Sequence, residues 1–483
     1  MGDRAAKEHP LNRLGSSTNQ PATLHRGWVV VLAFLAFVFG LGYGFYVLWH
    51  NAPSLLLRPA SAVVELPPLR GRLEASDGTP LAFSTNDEAR LYPLGLSATQ
   101  LIGFGERSSG KGLSGLELDL EKLLSQGQSL RLTVDPMVQA IAEQALWKGL
   151  EAAKADWGTV VVMESKTGRL LAVANGPAFD PTAPRRNTQQ DPSWRNHAFA
   201  YALEPGSTIK PLTAAVLLEE NMVRLDTKVY APMNRRVAGW TINDVVKHPE
   251  TLTLSEVLKY SSNVGITTLA ERIPRQTLYS FFQKMHFMDK ELLPPLSYQP
   301  RVAVQVAAPQ VRPLNRWGPA EYANATFGQG FLITPLHLAA AYNILANDGV
   351  YRQPILFEGN TSKSSPVFRP QVARDLRKAL SEGIAENAKL PGYVLGGKTG
   401  TAQVVVEGRY SSSVYAALFA GFIPANTPRV TVVVTLFHPK GERIHGSQVA
   451  APIYRDIAAR LFALWGIPPQ LENSSAKGKL VNR

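Results

Sequence analysis

The chain has no cysteine among its 483 residues. Disulfides, thiolate metal sites and cysteine nucleophiles are thereby excluded, while the compartment stays open. Histidine is sparse, nine in all, and none falls in an H-E-x-x-H pattern, so neither a metal nor another cofactor is indicated. Zinc-finger spacing, dense Lys/Arg runs and internal repeats are missing as well. The net charge of +12, with a pI near 9.7, therefore argues for an anionic membrane surface or polymer and against nucleic acid. What is present is ordinary for a globular protein: 45% hydrophobic and 18% charged residues, in a chain long enough for two or three domains.

Charge is also missing from Val29 to Leu48, VVVLAFLAFVFGLGYGFYVL. Twenty helical residues at 1.5 Å each span a bilayer's hydrocarbon core. Trp28 and Trp49 flank the stretch, where indoles favour the lipid–water interface. A cleaved signal peptide, with Ala60-Ser61-Ala62 as processing site, is the competing reading, but the apolar stretch exceeds the usual signal-peptide core. The expectation is a single-pass anchor in the cytoplasmic membrane. Arg13 and Arg26 lie near the inner end against Arg58 outside. The N-terminus is read as cytoplasmic mainly because the rest of the chain reads as one exported unit.

The expected organisation is a polar tail (1–27), a transmembrane helix (28–49), a linker and pedestal (50–153), a main domain (154–470) and a solvated tail (471–483). The pedestal mixes short strand-like runs with glycine turns, and a helical pattern at 137–154 leads out of it. The main domain opens with a hairpin, 159–163 and 170–174 around Lys166-Thr167-Gly168. Helical patterns follow at about 208–221, 253–272, 335–348 and 370–386, then strands at 401–406, 416–422 and 430–437, and a closing helix at 451–464. Strands at both ends with helices between them predict an α/β or α+β sheet covered by helices.

A serine hydroxyl needs a base before it is a good nucleophile. In EPGSTIKP, Ser207 and Lys210 are three apart, which puts both on one helical face. Gly206 allows a tight turn, and a helix starting at Ser207 offers N-terminal amides to developing negative charge. Ser108/Lys111 and Ser474/Lys477 share the spacing but lie in a glycine-rich loop and a polar tail. Ser261-Ser262-Asn263 comes next, with Ser17/Asn19 and Ser84/Asn86 as decoys that precede the main domain. Lys398-Thr399-Gly400-Thr401 follows immediately ahead of a strand, whereas Lys166-Thr167-Gly168 is a hairpin tip that precedes the serine. One ordered set survives.

Ser-x-x-Lys, Ser-x-Asn and Lys-Thr-Gly in that order resemble the signature of penicillin-binding proteins and class A β-lactamases. RGRLEASDGTPLA (70–82), LRLTVDPMVQAIAEQA (130–145), Asn196-His197-Ala198, GQGFLITPLHLAAAYNILANDG (328–349) and GSQVAAPIY (446–454) narrow the likeness to division-type class B penicillin-binding proteins. The resemblance covers roughly residues 70–468. It implies an anchor, a small mostly-β pedestal, and a transpeptidase domain whose antiparallel sheet lies between helices. It implies that Ser207 attacks the penultimate D-Ala carbonyl of a peptidoglycan stem peptide, or a β-lactam, with Lys210 as base. Ser261 and Asn263 would relay the leaving-group proton and hold the substrate. Lys398, Thr399, Gly400 and Thr401 would bind its carboxylate, and the amides of Ser207 and Thr401 would form the oxyanion hole. It further implies partnership with a SEDS-type (FtsW-like) glycosyltransferase and other divisome membrane proteins. Elongation-type transpeptidation and D,D-carboxypeptidation share this chemistry. A penicillin sensor or non-catalytic scaffold is the reading from another class, opposed by the complete catalytic set and the 27-residue tail.

Simple electrostatics adds one expectation. A lysine of ordinary pKa near 10.4 costs roughly 4.6 kcal/mol to deprotonate at pH 7. A second ammonium about 4 Å away supplies on the order of 4 kcal/mol at an effective dielectric of 20; Lys398 is the candidate. The sequence also departs from the resembled pattern. The usual Asp-Arg-Asn-Gly of the pedestal reads Ala75-Ser76-Asp77-Gly78, and residues 50–153 are too few for a glycosyltransferase domain. GERSSGKG (105–112) lacks the Ser/Thr of a P-loop, and Gly110, Gly112 and Gly115 lack the strand–helix context of a dinucleotide site. Glu321 with Asn324 reads as structural.

Overall fold

The computed structural model describes residues 23–56, 69–85, 90–106, 110–183, 191–297, 299, 301–406 and 408–470. Expectations placed on residues 1–22 and 471–483, on Ala60-Ser61-Ala62, and on the decoys Ser17, Asn19, Asn86, Ser108, Ser474 and Lys477 lie outside these residues. The chain divides into two units, Met1–Pro67 and Pro68–Arg483. In the first, helix α1 (Thr23–Leu56) contains a segment, Gly27–His50, long and apolar enough to cross a membrane, with none of its residues buried against protein.

The second unit begins with a pedestal of short strands and single-turn helices. Leu73–Glu74 pairs antiparallel with Pro80–Ser84 and parallel with Leu130–Arg131, and Arg90–Leu91 closes the sheet's other edge. Its centre holds a buried charge cluster. The Glu117 carboxylate, fully removed from solvent, lies 2.7 Å from both the Arg70 and Arg90 guanidiniums, and Arg70 also reaches Glu121 at 2.8 Å. Two cations share one buried anion, so each guanidinium depends on it.

Asp135 caps helix α2 (Pro136–Ala153): its carboxylate accepts from the Met137 and Val138 amides, and Pro136 sits in the first turn, where its missing N–H costs nothing. Beyond it lies a five-stranded antiparallel sheet. Its strands are β1 (Trp157–Glu164), β2 (Leu170–Gly176), β3 (Gly396–Val406), β4 (Arg409–Ile423) and β5 (Val430–Phe437), in spatial order β3-β4-β5-β1-β2. Successive side chains point to opposite faces of a strand. Val160, Val162, Val432 and Val434 therefore face one way, packing with α2 and the C-terminal helix Gly446–Leu464. Val161, Met163 and Val433 face the other way, into a core shared with helices α3 (Lys210–Glu219), α4 (Leu254–Tyr260), α5 (Asn263–Ala270), α6 (Pro335–Ala346) and α7 (Pro370–Glu382). Both faces are covered, which is why these strands read as unbroken apolar runs rather than alternating ones.

Three local expectations differ from the structure. The stretch 253–272 is not one helix: α4 ends at Tyr260, and Ser262 caps a separate α5 with its hydroxyl on the Gly265 amide at 2.8 Å. The corner residue Ser261 takes a left-handed conformation, φ 60°. Lys398-Thr399-Gly400 lies within β3, paired with Ala420, Phe419 and Leu418, rather than ahead of it. The C-terminal helix, α8, begins at Gly446, five residues before the sequence pattern, and continues through Pro452.

Breaking the pedestal cluster tests its role. Glu117→Ala leaves two buried guanidiniums without their shared anion and is expected to cost about 3–5 kcal/mol. The measurement is the thermal unfolding midpoint of the detergent-purified chain. An unaltered midpoint would mean that both arginines find equivalent partners elsewhere.

Candidate active site

Ser207 lies in a short 3-10 turn, Gly206–Ile209, that feeds directly into α3. The turn is held from three directions. The Gly206 amide donates to the Gly328 carbonyl at 2.9 Å, the Thr208 hydroxyl to the Pro205 carbonyl at 2.7 Å, and the Tyr342 hydroxyl to the Thr208 carbonyl at 2.6 Å. Thr208, Ile209 and Lys210 are buried while Ser207 is only half-buried, so the turn offers the hydroxyl to the cleft.

Lys210 is the central residue of the site. Its whole side chain is buried, and Nζ lies 2.9 Å from Ser207 Oγ, 2.5 Å from the Ser261 carbonyl oxygen and 3.1 Å from Ser261 Oγ. A neutral amine has two N–H donors and one lone pair. Donating to the two Ser261 oxygens leaves that lone pair for the Ser207 hydroxyl proton, the arrangement a general base requires. Lys210 is held well below the ordinary lysine range, first by burial and then by the Lys398 ammonium, with Asp244 opposing. Burial, rather than the second ammonium expected from the sequence, is the larger cause. Lys398, buried on β3, is itself lowered to about 8 by burial.

The remaining expected residues converge on the same place. Ser261 comes from the α4–α5 corner, and Asn263, at the first turn of α5, donates from Nδ2 to the Asn243 carbonyl at 2.8 Å. On β3, Thr399 and Thr401 are half-buried, and Thr401 Oγ1 accepts from the Gly446 amide at 3.0 Å, which leaves its hydroxyl proton to donate elsewhere. Gly400 explains how the strand can approach so closely. A Cβ there would lie 2.9 Å from Thr208 Cγ2 and 3.0 Å from the Pro205 carbonyl oxygen, so a side chain would push β3 off the Ser207 turn. Beyond Thr401 a cavity of about 630 Å³ opens along Gln403, Tyr410, Arg312 and Glu204. Glu204 is buried there and accepts from the Gly330 amide at 2.8 Å and the Tyr410 hydroxyl at 2.9 Å.

The decoys within the described residues stay apart from this cluster. Lys166 is an exposed hairpin residue 3.5 Å from Asp348, and Glu321 pairs only loosely with Arg312 at 3.5 Å. Two contributors went unread in the sequence. Asp244 sits in no motif, and nothing in its neighbours marks it as buried beside a lysine. Gly446 stood in a resembled stretch, but its close packing under β3 is a long-range fact without a local signal.

Comparison with known proteins gives a consistent picture. The family described as penicillin binding protein transpeptidase domain matches residues 158–459. The chain is 31% identical over 427 residues to the "Probable peptidoglycan D,D-transpeptidase PenA" of Neisseria gonorrhoeae, covering 79% of this chain and 69% of that protein. It is 29% identical over 433 residues to the peptidoglycan D,D-transpeptidase FtsI of Escherichia coli K12, covering 82% and 70%. Among solved structures, penicillin binding protein 3 of Mycobacterium tuberculosis, in complex with aztreonam, superposes with a TM-score of 0.75 at 27% identity, covering 84% of this chain and 98% of that one.

The packing at Gly446 can be tested without any assumption about chemistry. A Cβ there would fall 2.3 Å from the Gly400 carbonyl oxygen and 2.4 Å from that of Leu418, backbone atoms that cannot swing aside. Gly446→Ala should therefore destabilise the fold by about 1–3 kcal/mol, as overpacking does. Thermal or denaturant unfolding reads this directly, and wild-type stability would show that β3 yields freely.

Proposed function

The chain belongs to the penicillin-binding protein transpeptidase family, and from that premise we propose that Ser207 is its acylating nucleophile and Lys210 the base that activates it. The protein is a class B, serine-type peptidoglycan D,D-transpeptidase, anchored in the membrane by the apolar segment of α1. The observation that carries the residue assignment is the buried Lys210 amine, 2.9 Å from Ser207 Oγ with its other contacts taken up by Ser261.

The chemistry proceeds as acyl transfer. Ser207 Oγ attacks the penultimate D-Ala carbonyl carbon while its proton passes to Lys210 Nζ. Charge on the carbonyl oxygen is met by the Ser207 and Thr401 amides, whose main chains abut: a Cβ on Gly206 would lie 3.4 Å from the Thr401 carbonyl oxygen. The C–N bond then breaks, terminal D-Ala leaves, and its nitrogen takes a proton from Lys210 by way of Ser261 Oγ, 3.1 Å from Nζ. An acceptor stem-peptide amine attacks the Ser207 ester in the second half, forming the cross-link and restoring the hydroxyl. Lys398, Thr399, Gly400 and Thr401 hold the substrate carboxylate, and Asn263 holds the peptide backbone.

The role is septal synthesis at division, supported by the similarity to FtsI and by the ordered stretches 196–211 and 446–454. The N-terminus is cytoplasmic and the catalytic unit extracytoplasmic, where the wall is built. Glycan strands come from a SEDS-type (FtsW-like) glycosyltransferase and associated divisome membrane proteins, contacted through the membrane helix and pedestal.

Two expectations test the assignment. A fluorescent penicillin should label a peptide containing Ser207, with labelling abolished in Ser207→Ala and slowed about 10²–10⁴-fold in Lys210→Ala. Label on any other serine of the folded chain would refute the choice of nucleophile. The second concerns pH. Acylation needs neutral Lys210, so its rate rises as pH passes that group's pKa. Lys398→Ala removes a neighbouring positive charge and makes the ammonium form less costly. The rising limb should therefore move to higher pH, but only part of the way to an ordinary lysine, because burial persists. A limb that stays in place, measured with a chromogenic β-lactam, would show that Lys398 does not tune the base.

A further inference from the structure

Among the described residues, Lys210 faces two charged groups, Lys398 from β3 and Asp244 from the end of a hairpin formed by Asn234–Val237 and Trp240–Asn243. The transpeptidation chemistry gives Asp244 no task, yet its side chain is almost wholly buried and accepts four donors. Oδ1 takes the Asn263 amide at 2.5 Å and the Val264 amide at 3.0 Å, the first two amides of α5. Oδ2 takes the Ser262 hydroxyl and His248 Nε2, the latter at 2.8 Å. His248 has a fully buried side chain, and its Nδ1 lies 2.8 Å from the Pro249 carbonyl oxygen. Both ring nitrogens thus face oxygen atoms, which fixes the ring behind the carboxylate. The neighbouring residue, Asn243, holds the Asn263 side chain.

We propose that Asp244, backed by His248, is a positioning residue for acylation: its carboxylate clamps Ser262, Asn263 and Val264, and so fixes the left-handed Ser261 corner whose two oxygens orient the Lys210 amine. The proposal rests on the assignment of Ser207 and Lys210 above. Its logic is geometric. Ser261, a non-glycine residue with φ 60°, lies between the last turn of α4 and the capped start of α5. Neither helix alone dictates where the Ser261 carbonyl points. The carboxylate does so by pinning the three residues that follow. In doing this it places an anion near Lys210 that opposes the effect of Lys398, so Asp244 leaves a mark on the pH profile that a merely structural residue would not.

The test uses the detergent-purified full chain and a chromogenic β-lactam, with acylation rate against pH as readout. Wild type is first confirmed to acylate at Ser207; failure there refutes the functional assignment rather than this inference. Asp244→Asn is nearly isosteric but uncharged. The plateau rate should fall by about 10- to 100-fold, since small displacements in a reacting geometry cost that much. The rising limb should shift to lower pH, the direction opposite to Lys398→Ala, because loss of an anion eases deprotonation of Lys210. Asp244→Glu keeps the charge with the wrong reach, so its limb should stay at the wild-type pH while its plateau falls. A folded Asp244→Asn that acylates at the wild-type rate overturns the proposal, and so does a lowered plateau with an unmoved limb. If Asp244→Asn does not fold, His248→Gln decides. It should show a smaller loss of plateau rate in a protein of near-native melting temperature, and a wild-type rate there overturns the proposal.

Discussion

A lysine side chain withdrawn completely from water is the constraint around which the catalytic unit is organised. An ammonium in that position, without close oxygen partners, would carry a desolvation penalty of several kcal/mol. The structure meets this by supplying three oxygens from two distant segments, Ser207 from the turn before α3 and Ser261 from the α4–α5 corner. Burial that would be a defect in a structural lysine here disfavours the charged form and so favours a neutral amine. The site thus derives reactivity from the exclusion of water, and every element that keeps water out contributes to it.

Exclusion requires backbones to approach more closely than side chains permit. Strand β3 lies over the Ser207 turn because Gly400 presents no Cβ to Thr208, and α8 starts directly beneath β3 because Gly446 presents none to Gly400 or Leu418. Gly328, at φ 89°, accepts the Gly206 amide through its carbonyl where a Cβ would lie 2.0 Å from the Gly206 carbonyl oxygen. Sheet order adds a further consequence. β3 is an edge strand with β4 as its sheet neighbour, so its other edge faces the cleft. An extended peptide can align there through main-chain hydrogen bonds.

Much of this was legible in the sequence, for reasons that also set the limits. Ser207 and Lys210 are local: three residues apart on a helix, they meet whatever the rest of the chain does. The β1–β2 hairpin and β5 were legible because apolar runs, rich in valine in β1 and β5, fill both faces of a doubly covered sheet. The break between α4 and α5 was not. The helical apolar pattern of LTLSEVLKYSSNVGITTLA resumes beyond the polar Ser261-Ser262-Asn263, and what holds the corner is a carboxylate eighteen residues upstream of Ser262. Lys398-Thr399-Gly400 read as lying ahead of a strand because glycine, here Gly396, Gly397 and Gly400, disfavours β structure. Pairing with Ala420, Phe419 and Leu418 overrides that preference. In each case the missing information was a partner remote in sequence, which no local pattern contains.

The electrostatics of the two groups beside Lys210 then acquires a reason. Lys398 lowers the lysine's pKa and Asp244 raises it, so on charge alone Asp244 works against the base. An active site shaped only by pKa would replace it with a neutral residue. Its presence becomes intelligible from its contacts: two amides, a hydroxyl and an imidazole converge on one carboxylate, and no neutral side chain accepts from four donors as well. Burial, the largest influence on Lys210, leaves room for that opposing charge. A site can hold an anion beside its base when the geometric order it imposes is worth more to the reaction than the fraction of neutral amine it removes.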